Sequence, residues 1–328
     1  MLNKLCLSCF RIKGEYKVCP YCGYIEGSRP KSAFFLKPGV ILKNRYIIGG
    51  VIGYGGFGIT YKAYDVVLSI VVAIKEFYPA GLVSRAEGNT KVSIFSGDKS
   101  EKFNEIKERF LEEARNMAMF SEEKDIVNVY TYFQDNGTAY IIMEYIEGIL
   151  LKTYLENNGP IKEKEVYPYF YSLLSAVQKI HNKGIIHKDI SADNIFLVSS
   201  AQIKILDFGA ARFKNSESDK KLAIVVKNGY APPEQYYSKG VIDYRTDIYA
   251  VGAVMYQMLT GEKPPESLER IKKDNICGMS KRGLKIHSGL EKAVMKALAL
   301  KPEERYSSIE KFEEAVKDTE KKKNWKWW

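Results

Sequence analysis

The 328-residue chain has only three histidines and five cysteines, and four of the cysteines lie within the first 22 residues. Because no histidine lies near them, any metal held there is expected to have an all-cysteine shell. The chain shows no internal repeat. It also shows no secretory signal and no apolar run of about twenty residues, so disulfides and a membrane span within this sequence are not expected.

The charge balance is positive, with 50 lysines and arginines against 40 aspartates and glutamates, a net charge of +10. A basic surface can serve a nucleic acid or an anionic membrane. General lysine richness explains the excess more simply, so nucleic acid is disfavoured as a partner. The length allows about two domains, and the larger can bury a sizeable core.

A glycine-rich run occupies residues 52–61, which read Ile-Gly-Tyr-Gly-Gly-Phe-Gly-Ile-Thr-Tyr. Gly53, Gly55 and Gly58 form a G-x-G-x-x-G pattern, and the apolar residues around them predict a hairpin. A dinucleotide-binding fold would instead place a helix after the glycines. Two interpretations stay open: a plain tight turn, and a loop whose backbone N–H groups cover phosphates.

Downstream of this run, a lysine and a glutamate form a candidate ion pair. The apolar run from Ile70 predicts a strand that ends at Lys75. Residues 103–120 carry apolar side chains at spacings of three and four, which predicts a helix. We assign Glu113 of this helix as the partner of Lys75, and Glu112 to its outer face. The alternative for Lys75 is a solvated lysine at the sheet edge.

Two further runs carry acidic and amide groups. Residues 187–194 read His-Lys-Asp-Ile-Ser-Ala-Asp-Asn, and residues 207–209 read Asp-Phe-Gly. A carboxylate, an amide five positions later and a second carboxylate before a glycine are what a phosphoryl-transfer site needs. Asp189 would accept a hydroxyl proton, while Asn194 and Asp207 would hold magnesium.

Taken together, the runs resemble the eukaryotic-like protein kinases, and in particular the bacterial serine/threonine kinases of that type, over roughly residues 46–316. Further markers are Phe110-Leu-Glu-Glu-Ala114, Ile142-Met-Glu-Tyr145, Pro232-Pro-Glu234 and Asp247-Ile-Tyr-Ala-Val-Gly252. The resemblance implies an α+β, bilobal protein-kinase fold. Its β-rich N-lobe would cover about residues 45–145 and its helical C-lobe about residues 146–316.

The resemblance also implies roles for individual residues. Asp189 would be the catalytic base, Lys75 and Glu113 the ion pair of the active site, and Asn194 and Asp207 the ligands of Mg²⁺ or Mn²⁺. The implied ATP-binding positions lie on the glycine-rich loop, the lysine strand, the hinge and the adenine pocket: Ile52, Gly53, Gly55, Gly56, Phe57, Gly58, Thr60, Ala73, Lys75, Met143, Glu144, Ile146 and Phe196.

Two positions depart from the family pattern around the phosphate acceptor. Ser191 stands two residues after Asp189, where serine/threonine kinases usually carry a lysine that steadies the transferred phosphate. The threonine expected shortly before Glu234 is also absent. Lys227, at the start of Lys-Asn-Gly-Tyr-Ala-Pro-Pro-Glu, is a candidate replacement for the missing cation. Serine/threonine remains the favoured acceptor class on overall resemblance.

A third departure is Lys188, which replaces the arginine that usually precedes the catalytic aspartate. Lysine cannot clasp a phosphate through two parallel hydrogen bonds, so activation by loop phosphorylation is expected to be weak or absent. We predict that autophosphorylation at Ser216 or Ser218 tunes activity without being required; the alternative is an unmodified polar loop. Glu234 and Arg305 match a buried ion pair that braces the C-lobe.

The N-terminal cysteines form two C-x-x-C pairs, Cys6 with Cys9 and Cys19 with Cys22. Four thiolates at this spacing suit a tetrahedral zinc shell, and Gly23 permits a tight backbone turn beside it. Disulfides and a redox C-x-x-C are the alternatives, disfavoured by the expected reducing compartment and by the absence of a thioredoxin-like context. The segment resembles a zinc ribbon, which serves by default as a protein-docking or structural module. Holding the kinase inactive and binding nucleic acid are the alternatives.

The expected organisation is a zinc ribbon at residues 1–27, a linker at 28–44, a protein kinase domain at 45–316 and a basic, tryptophan-rich tail at 317–328. Such a tail is typical of the cytoplasmic flank of a membrane span. Two interpretations stay open. The chain is the cytoplasmic part of a longer, membrane-anchored kinase, or the tail docks on the protein's own surface or on lipid. The expected location is the cytoplasm, with the inner face of the membrane as the alternative.

The favoured function is transfer of the γ-phosphate of ATP to serine or threonine hydroxyls of protein substrates in bacterial signalling. The cofactors would be ATP, Mg²⁺ or Mn²⁺, and Zn²⁺. The alternatives are a pseudokinase scaffold that signals by binding, and a zinc-ribbon nucleic-acid binder with an accessory kinase fold. The complete set of phosphoryl-transfer residues disfavours the scaffold.

Overall fold

The computed structural model describes residues 4–198, 202–208, 212–213, 226–237 and 240–325. The chain divides into two compact units. The first comprises the chain up to Glu122 together with Val127–Ile146, and the second comprises Glu123–Ile126 and the chain from Glu147 onward. The N-terminal cysteine segment therefore belongs to the same unit as the main sheet.

The first unit is an antiparallel sheet with one long helix. Its elements are β1 (Ile41–Leu42), β2 (Tyr46–Gly55), β3 (Gly58–Asp65), β4 (Ile70–Phe77), β5 (Val83–Ser84), β6 (Ser93–Ile94), α1 (Asp98–Ala118), β7 (Val129–Asp135) and β8 (Thr138–Glu144). The sheet has the strand order β1-β2-β3-β4-β8-β7, and β5 pairs with β6 in a separate ladder. The predicted hairpin at the glycine-rich run is confirmed, since β2 pairs with β3 and Gly55 lies opposite Gly58.

Two element boundaries differ from the sequence prediction. β4 continues past Lys75, because Glu76 and Phe77 stay paired with β3 and both side chains are buried. The helix predicted to begin at residue 103 begins at Asp98. Gly97, with φ 74°, allows the chain to turn into the helix. Acidic residues in the first turn stabilise the helix because they interact favourably with the positive N-terminal end of its dipole.

A buried charge network holds the insertion that follows β4. Glu76 accepts hydrogen bonds from Tyr61 Oη at 3.1 Å, Tyr140 Oη at 2.9 Å and Arg85 Nη1 at 3.1 Å. Arg85 also donates to the carbonyl oxygen of Phe34 at 2.8 Å. Both ions are fully buried, and each has several hydrogen-bond partners, which is the condition for burying charge at acceptable cost. The network ties the insertion and the linker to the sheet.

The second unit is mostly helical. Its elements are β9 (Gly148–Leu150), α2 (Leu151–Asn158), α3 (Glu163–Asn182), β10 (Ile185–Ile186), β11 (Ile195–Val198), β12 (Gln202–Ile205), β13 (Arg212–Phe213), α4 (Tyr244–Thr260), α5 (Ser267–Lys272), α6 (Ser288–Ala297) and α7 (Ile309–Trp325). Helix α4 is buried from Thr246 to Leu259 and packs against α3, α6 and α7. It is therefore the core around which the other helices are arranged.

Candidate active site

The lysine of β4 and the glutamate of α1 form the ion pair that the sequence suggested. Lys75 Nζ lies 2.7 Å from Glu113 Oε1, and the two side chains are 20% and 7% exposed. Glu112 is half-buried, one position along the helix from the paired carboxylate. Because the strand ladder and the helix fix the two backbones, the ammonium is held in one place.

The positions implied for adenine lie on the same face of the sheet as this lysine. Thr60 lies opposite Lys75 in the β3–β4 ladder, and Ala73 lies opposite Met143 in the β4–β8 ladder. Side chains at directly opposite positions of antiparallel strands point to the same face. Glu144, at the end of β8, is anchored because its Oε1 accepts the backbone N–H of Asn128 at 2.8 Å.

The glycines of the β2–β3 hairpin differ in whether packing demands a residue without a side chain. A Cβ at Gly58 would lie 2.6 Å from the carbonyl oxygen of Glu76, so close packing explains that glycine. A Cβ at Gly55 or Gly56 would meet nothing within 4 Å, and neither residue has a positive φ. Neither packing nor backbone strain accounts for these two. Both positions leave the backbone of the loop open to approach from outside, which is the feature expected of a loop that covers phosphates.

In the second unit, the catalytic-loop residues lie together. Asn194 Nδ2 donates to Asp189 Oδ2 at 2.7 Å and to the Asp189 carbonyl oxygen at 3.0 Å. The Asn194 carbonyl oxygen accepts the N–H of Leu206 at 3.0 Å, and Asp207 is the next residue. The geometry therefore connects the carboxylate, the amide and the segment carrying the second carboxylate. Among the described residues, Phe196 lies on β11 directly after this loop.

A fully buried aspartate holds the backbone that precedes Asp189. Asp247 accepts the N–H of His187 at 2.8 Å and that of Lys188 at 2.8 Å, and lies 2.8 Å from His181 Nε2. Burial alone would raise the pKa of Asp247, but the hydrogen bond with His181 and the surrounding donors hold it below its ordinary value. Lys188 has φ 66°, a conformation that non-glycine residues rarely adopt, and the bonds to Asp247 compensate for its strain.

Sequence reasoning gave Asp247 no role, although it begins the Asp-Ile-Tyr-Ala-Val-Gly marker. Its distance in sequence from His187 hides the contact. His187 itself is fully buried, its ring 4.8 Å from that of Phe208, and its Nε2 has no hydrogen-bond partner within the described part of the chain. Burial lowers the pKa of His187 below its ordinary value, so the ring is kept neutral.

Lys227 reaches the catalytic loop. Its Nζ lies 3.1 Å from Asp189 Oδ2 and 3.0 Å from Ser191 Oγ. Farther along the chain, Arg305 makes a two-pronged ion pair with Glu234, with Nη1–Oε1 at 2.7 Å and Nη2–Oε2 at 3.0 Å. The expected bracing pair is therefore present in the buried interior of the second unit.

The candidate phosphorylation sites Ser216 and Ser218 lie outside the described residues, as does Gly209. Tyr230, the other hydroxyl in that stretch, is buried, and its Oη donates to Gln257. It belongs to the packed interior of the second unit.

The four N-terminal cysteines converge on one point. The sulfur atoms of Cys6, Cys9, Cys19 and Cys22 all lie within 4.8 Å of one another. Two short turns present them, closed by the hydrogen bonds from Cys6 N to Arg11 O and from Cys19 N to Tyr24 O, both 2.9 Å. Four thiol donors in such a cluster fit a zinc shell.

The electrostatics of the cluster are uneven. Burial raises the pKa of Cys9 to about 12. Burial acts in the same direction on Cys19, but backbone N–H groups from Tyr21 and Cys22 outweigh it and lower its pKa to about 7. Backbone N–H groups that face sulfur stabilise a thiolate, which is the form that binds metal.

The cysteine segment packs against the start of β2. Gly50 N donates to the Ser8 carbonyl oxygen at 2.9 Å, and the rings of Phe10 and Tyr64 lie 5.8 Å apart. A Cβ at Gly49 would lie 2.6 Å from the Phe10 ring and 2.7 Å from the Ser8 carbonyl oxygen. Only glycine fits there, so β2 is shaped to receive the segment. Sequence reasoning missed this contact, although the Gly49-Gly50 pair within a strand is a signal of close backbone approach.

Comparison with known proteins agrees with the fold. The sequence profile of the protein kinase domain matches residues 46–319. A probable serine/threonine-protein kinase of Clostridium acetobutylicum is 33% identical over 82% of this chain and 39% of its own length. The kinase PrkC of Bacillus subtilis is 31% identical over 84% of this chain and 40% of its own length. The chain thus spans about two fifths of the length of these curated relatives.

A solved structure gives the same answer for the fold. The structure described as the apo form of PpkA-294 is 35% identical to this chain, covers 86% of it and superposes with a TM-score of 0.76. The fold defines a class of protein with a β-rich N-lobe and a helical C-lobe. The chain belongs to the protein kinase family, and the predicted fold class is confirmed. Within the described residues, no helix has the length and apolar character needed to cross a membrane.

Proposed function

We propose that this chain is an ATP- and Mg²⁺-dependent protein kinase that phosphorylates serine or threonine residues of protein substrates. The observation that carries the proposal is the Asn194–Asp189 hydrogen bond of 2.7 Å, which joins a carboxylate and an amide in the arrangement phosphoryl transfer needs. The Lys75–Glu113 pair in the first unit supports it. The names of the relatives, serine/threonine-protein kinases, support the choice of acceptor.

The mechanism assigns one task to each group. Asp189 takes the proton of the attacking hydroxyl, whose oxygen forms a bond to the γ-phosphorus while the bond to the β-phosphate oxygen breaks and ADP leaves. Asn194 holds Asp189 in orientation through its amide N–H. Lys75, positioned by Glu113, binds nucleotide phosphates, and the backbone of Gly55 and Gly56 covers them.

The proposed magnesium ligands fit a hard cation. Asn194 uses its amide nitrogen on Asp189, and its Oδ1 accepts no hydrogen bond from the residues that the structure describes. Amide and carboxylate oxygens, here from Asn194 and Asp207, are ligands that Mg²⁺ prefers. When bound, the ion neutralises the charge that develops on the phosphate oxygens.

The N-terminal cluster is proposed to hold Zn²⁺ and to dock a protein partner. Metal analysis of the purified chain is expected to find one zinc per chain, and fewer in a Cys6→Ser variant. An unchanged zinc content in that variant would contradict the assignment. The proposed location is the cytoplasm or the inner face of its membrane. Sedimentation with anionic vesicles, before and after removal of residues 317–328, tests the membrane contact.

The activity is tested with labelled ATP, Mg²⁺ and a generic protein substrate. We expect transfer of label by the unaltered chain and its loss in Asp189→Asn, which preserves side-chain shape. No transfer above that of Asp189→Asn would reject the enzyme and leave binding as the function. Loss of salt-sensitive nucleic-acid binding on deletion of residues 1–30 would indicate the nucleic-acid alternative instead.

A further inference from the structure

Lys227 makes two contacts on the catalytic loop. Its ammonium lies 3.1 Å from Asp189 Oδ2 and 3.0 Å from Ser191 Oγ. An ammonium has three N–H donors. Two are directed at these oxygens, and the third has no partner within the described ranges of the chain. The side chain is 32% exposed, so this third donor is accessible to a ligand.

The backbone of Lys227 is fixed although it lies in a loop. Its carbonyl oxygen accepts the N–H groups of both Tyr230, at 3.0 Å, and Ala231, at 3.1 Å. Gly229 has φ 87°, and a Cβ there would lie 2.9 Å from the carbonyl oxygen of Pro264. Tyr230 is buried beneath the turn. The turn thus presents the ammonium at a defined position.

The ion pair between Lys227 and Asp189 is not explained by a contribution to folding stability. Lys227 and Asp189 are 32% and 24% exposed, and ion pairs with this much solvent contribute little to folding. Such a pair is better explained by a group that must be near the reaction than by a structural contact.

The reaction requires positive charge at this point. The attacking hydroxyl must lie beside Asp189, so the phosphoryl group that it attacks lies within a few ångströms of that carboxylate. Ser191, two residues away, is fully buried and contributes a neutral hydroxyl. Charge that develops on the phosphoryl oxygens is stabilised most effectively by donors already in place.

We propose that Lys227 is a catalytic residue that binds an oxygen of the transferred phosphoryl group, and that Ser191 positions its ammonium. The proposal rests on the kinase activity proposed above. The hydroxyl proton still goes to Asp189 and ADP still leaves. Lys227 takes no part in the proton transfer and contributes charge and a hydrogen bond.

The test compares five variants in steady-state transfer from Mg-ATP to a protein substrate. Lys227→Ala is expected to lower kcat about 100-fold, the loss typical of one transition-state donor, with a smaller change in the KM for ATP. Lys227→Arg should retain part of the activity. The matched control is Lys152→Ala, because Lys152 pairs at 3.0 Å with Asp193 of the same loop, a carboxylate without a proposed role.

The decisive variant exchanges the two side chains. Since Ser191 Oγ and Lys227 Nζ are 3.0 Å apart, a lysine at 191 can place its ammonium in nearly the same position. Ser191→Lys combined with Lys227→Ser is therefore expected to recover much of the activity that Lys227→Ser alone loses. Circular dichroism and thermal unfolding of each variant separate loss of chemistry from loss of fold.

The outcomes distinguish the two proposals. Transfer by the unaltered chain together with an unchanged kcat in Lys227→Ala overturns the role of Lys227 and leaves the kinase intact. A folded exchange variant no more active than Lys227→Ser does the same. If the unaltered chain transfers no more label than Asp189→Asn, the kinase proposal fails and the role of Lys227 fails with it.

Discussion

The two lysine–carboxylate pairs, one in each unit, are built differently. Lys75 and Glu113 lie on a strand and a helix, 2.7 Å apart and largely buried. Lys227 and Asp189 lie on a turn and a loop, 3.1 Å apart and more exposed. In the first pair, regular hydrogen bonding fixes both backbones. In the second, Gly229 and buried Tyr230 fix the turn that carries Lys227, and Asp247 accepts the backbone N–H of Lys188 beside Asp189.

This difference in how the two lysines are held indicates a different role for each in the reaction. The backbones of Lys75 and Glu113 are each fixed by the regular hydrogen bonds of a strand and a helix. A pair held by a turn leaves its lysine with a donor directed at solvent, ready for a ligand. We therefore assign the first pair to holding the nucleotide and the second to the chemical step.

The largest expected effect comes from breaking the second pair at its carboxylate. Asp189→Asn keeps the shape but removes the base, so kcat should fall about 10²- to 10⁴-fold, the range for general-base catalysis. The measurement is the initial rate of phosphate transfer at saturating ATP. Asp193→Asn, in the same loop, is the control and should stay near the parent rate. Similar losses in both variants would contradict the assignment of the base.

A third pair, adjacent to Lys75, sharpens the contrast because we assign it to structure alone. Glu76→Gln leaves the Arg85 guanidinium buried without its counter-charge, which should destabilise the first unit by about 3–5 kcal/mol. Thermal or denaturant unfolding measures the loss, and Glu112→Gln on the outer part of α1 is the control. If Glu76→Gln unfolds like the control, Arg85 is stabilised by other groups.

Breaking the first pair is expected to act mainly through the nucleotide. Glu113→Gln removes the charge that positions Lys75, and we expect kcat/KM for ATP to fall about 100-fold, as for loss of one preorganised charge contact. Glu112→Gln, one residue away, is the matched control. If kcat/KM for ATP falls equally in Glu113→Gln and Glu112→Gln, the cause is a general change in α1 and not the loss of the ion pair.

The smallest expected effect is a pH dependence in the second unit. The pKa of His187 is lowered in the fold, so the unfolded chain binds a proton below about pH 6.5 that the folded chain does not. The contribution of neutral His187 to the free energy of unfolding is therefore fully present above that pH. It is lost as the pH falls, by at most about 1.4 kcal/mol per pH unit. We expect the free energy of unfolding, measured with denaturant between pH 7 and 5, to change less with pH in His187→Phe than in the parent chain. Equal slopes would contradict a buried neutral ring.

Sequence reasoning predicted the elements whose side chains follow a regular period. The hairpin at the glycines and the helix carrying Glu113 came from such patterns, and the cysteine cluster came from spacing. It could not predict contacts that depend on distant chain segments. Arg85 reaches Glu76 only because the insertion folds back onto β4, and Asp247 reaches His187 only because α4 is buried beside the catalytic loop.

The same limit explains the docking of the cysteine segment. The sequence predicts a linker at residues 28–44 but not the contacts that Ser8 and Phe10 make with β2 at Gly49 and Gly50. Spacing within the segment predicts a metal shell but carries no information about which surface it covers. The room for the segment is provided by Gly49 and Gly50 in β2. The match between these glycines and the segment becomes visible only in the folded unit.

The most direct test of the central claim is to identify the acceptor residues. Protein substrate incubated with Mg-ATP and either the unaltered chain or Asp189→Asn is digested and its phosphorylated residues are located by mass spectrometry. We expect phosphoserine and phosphothreonine whose formation depends on Asp189. Phosphorylation on tyrosine alone, or no difference between the two reactions, would contradict it.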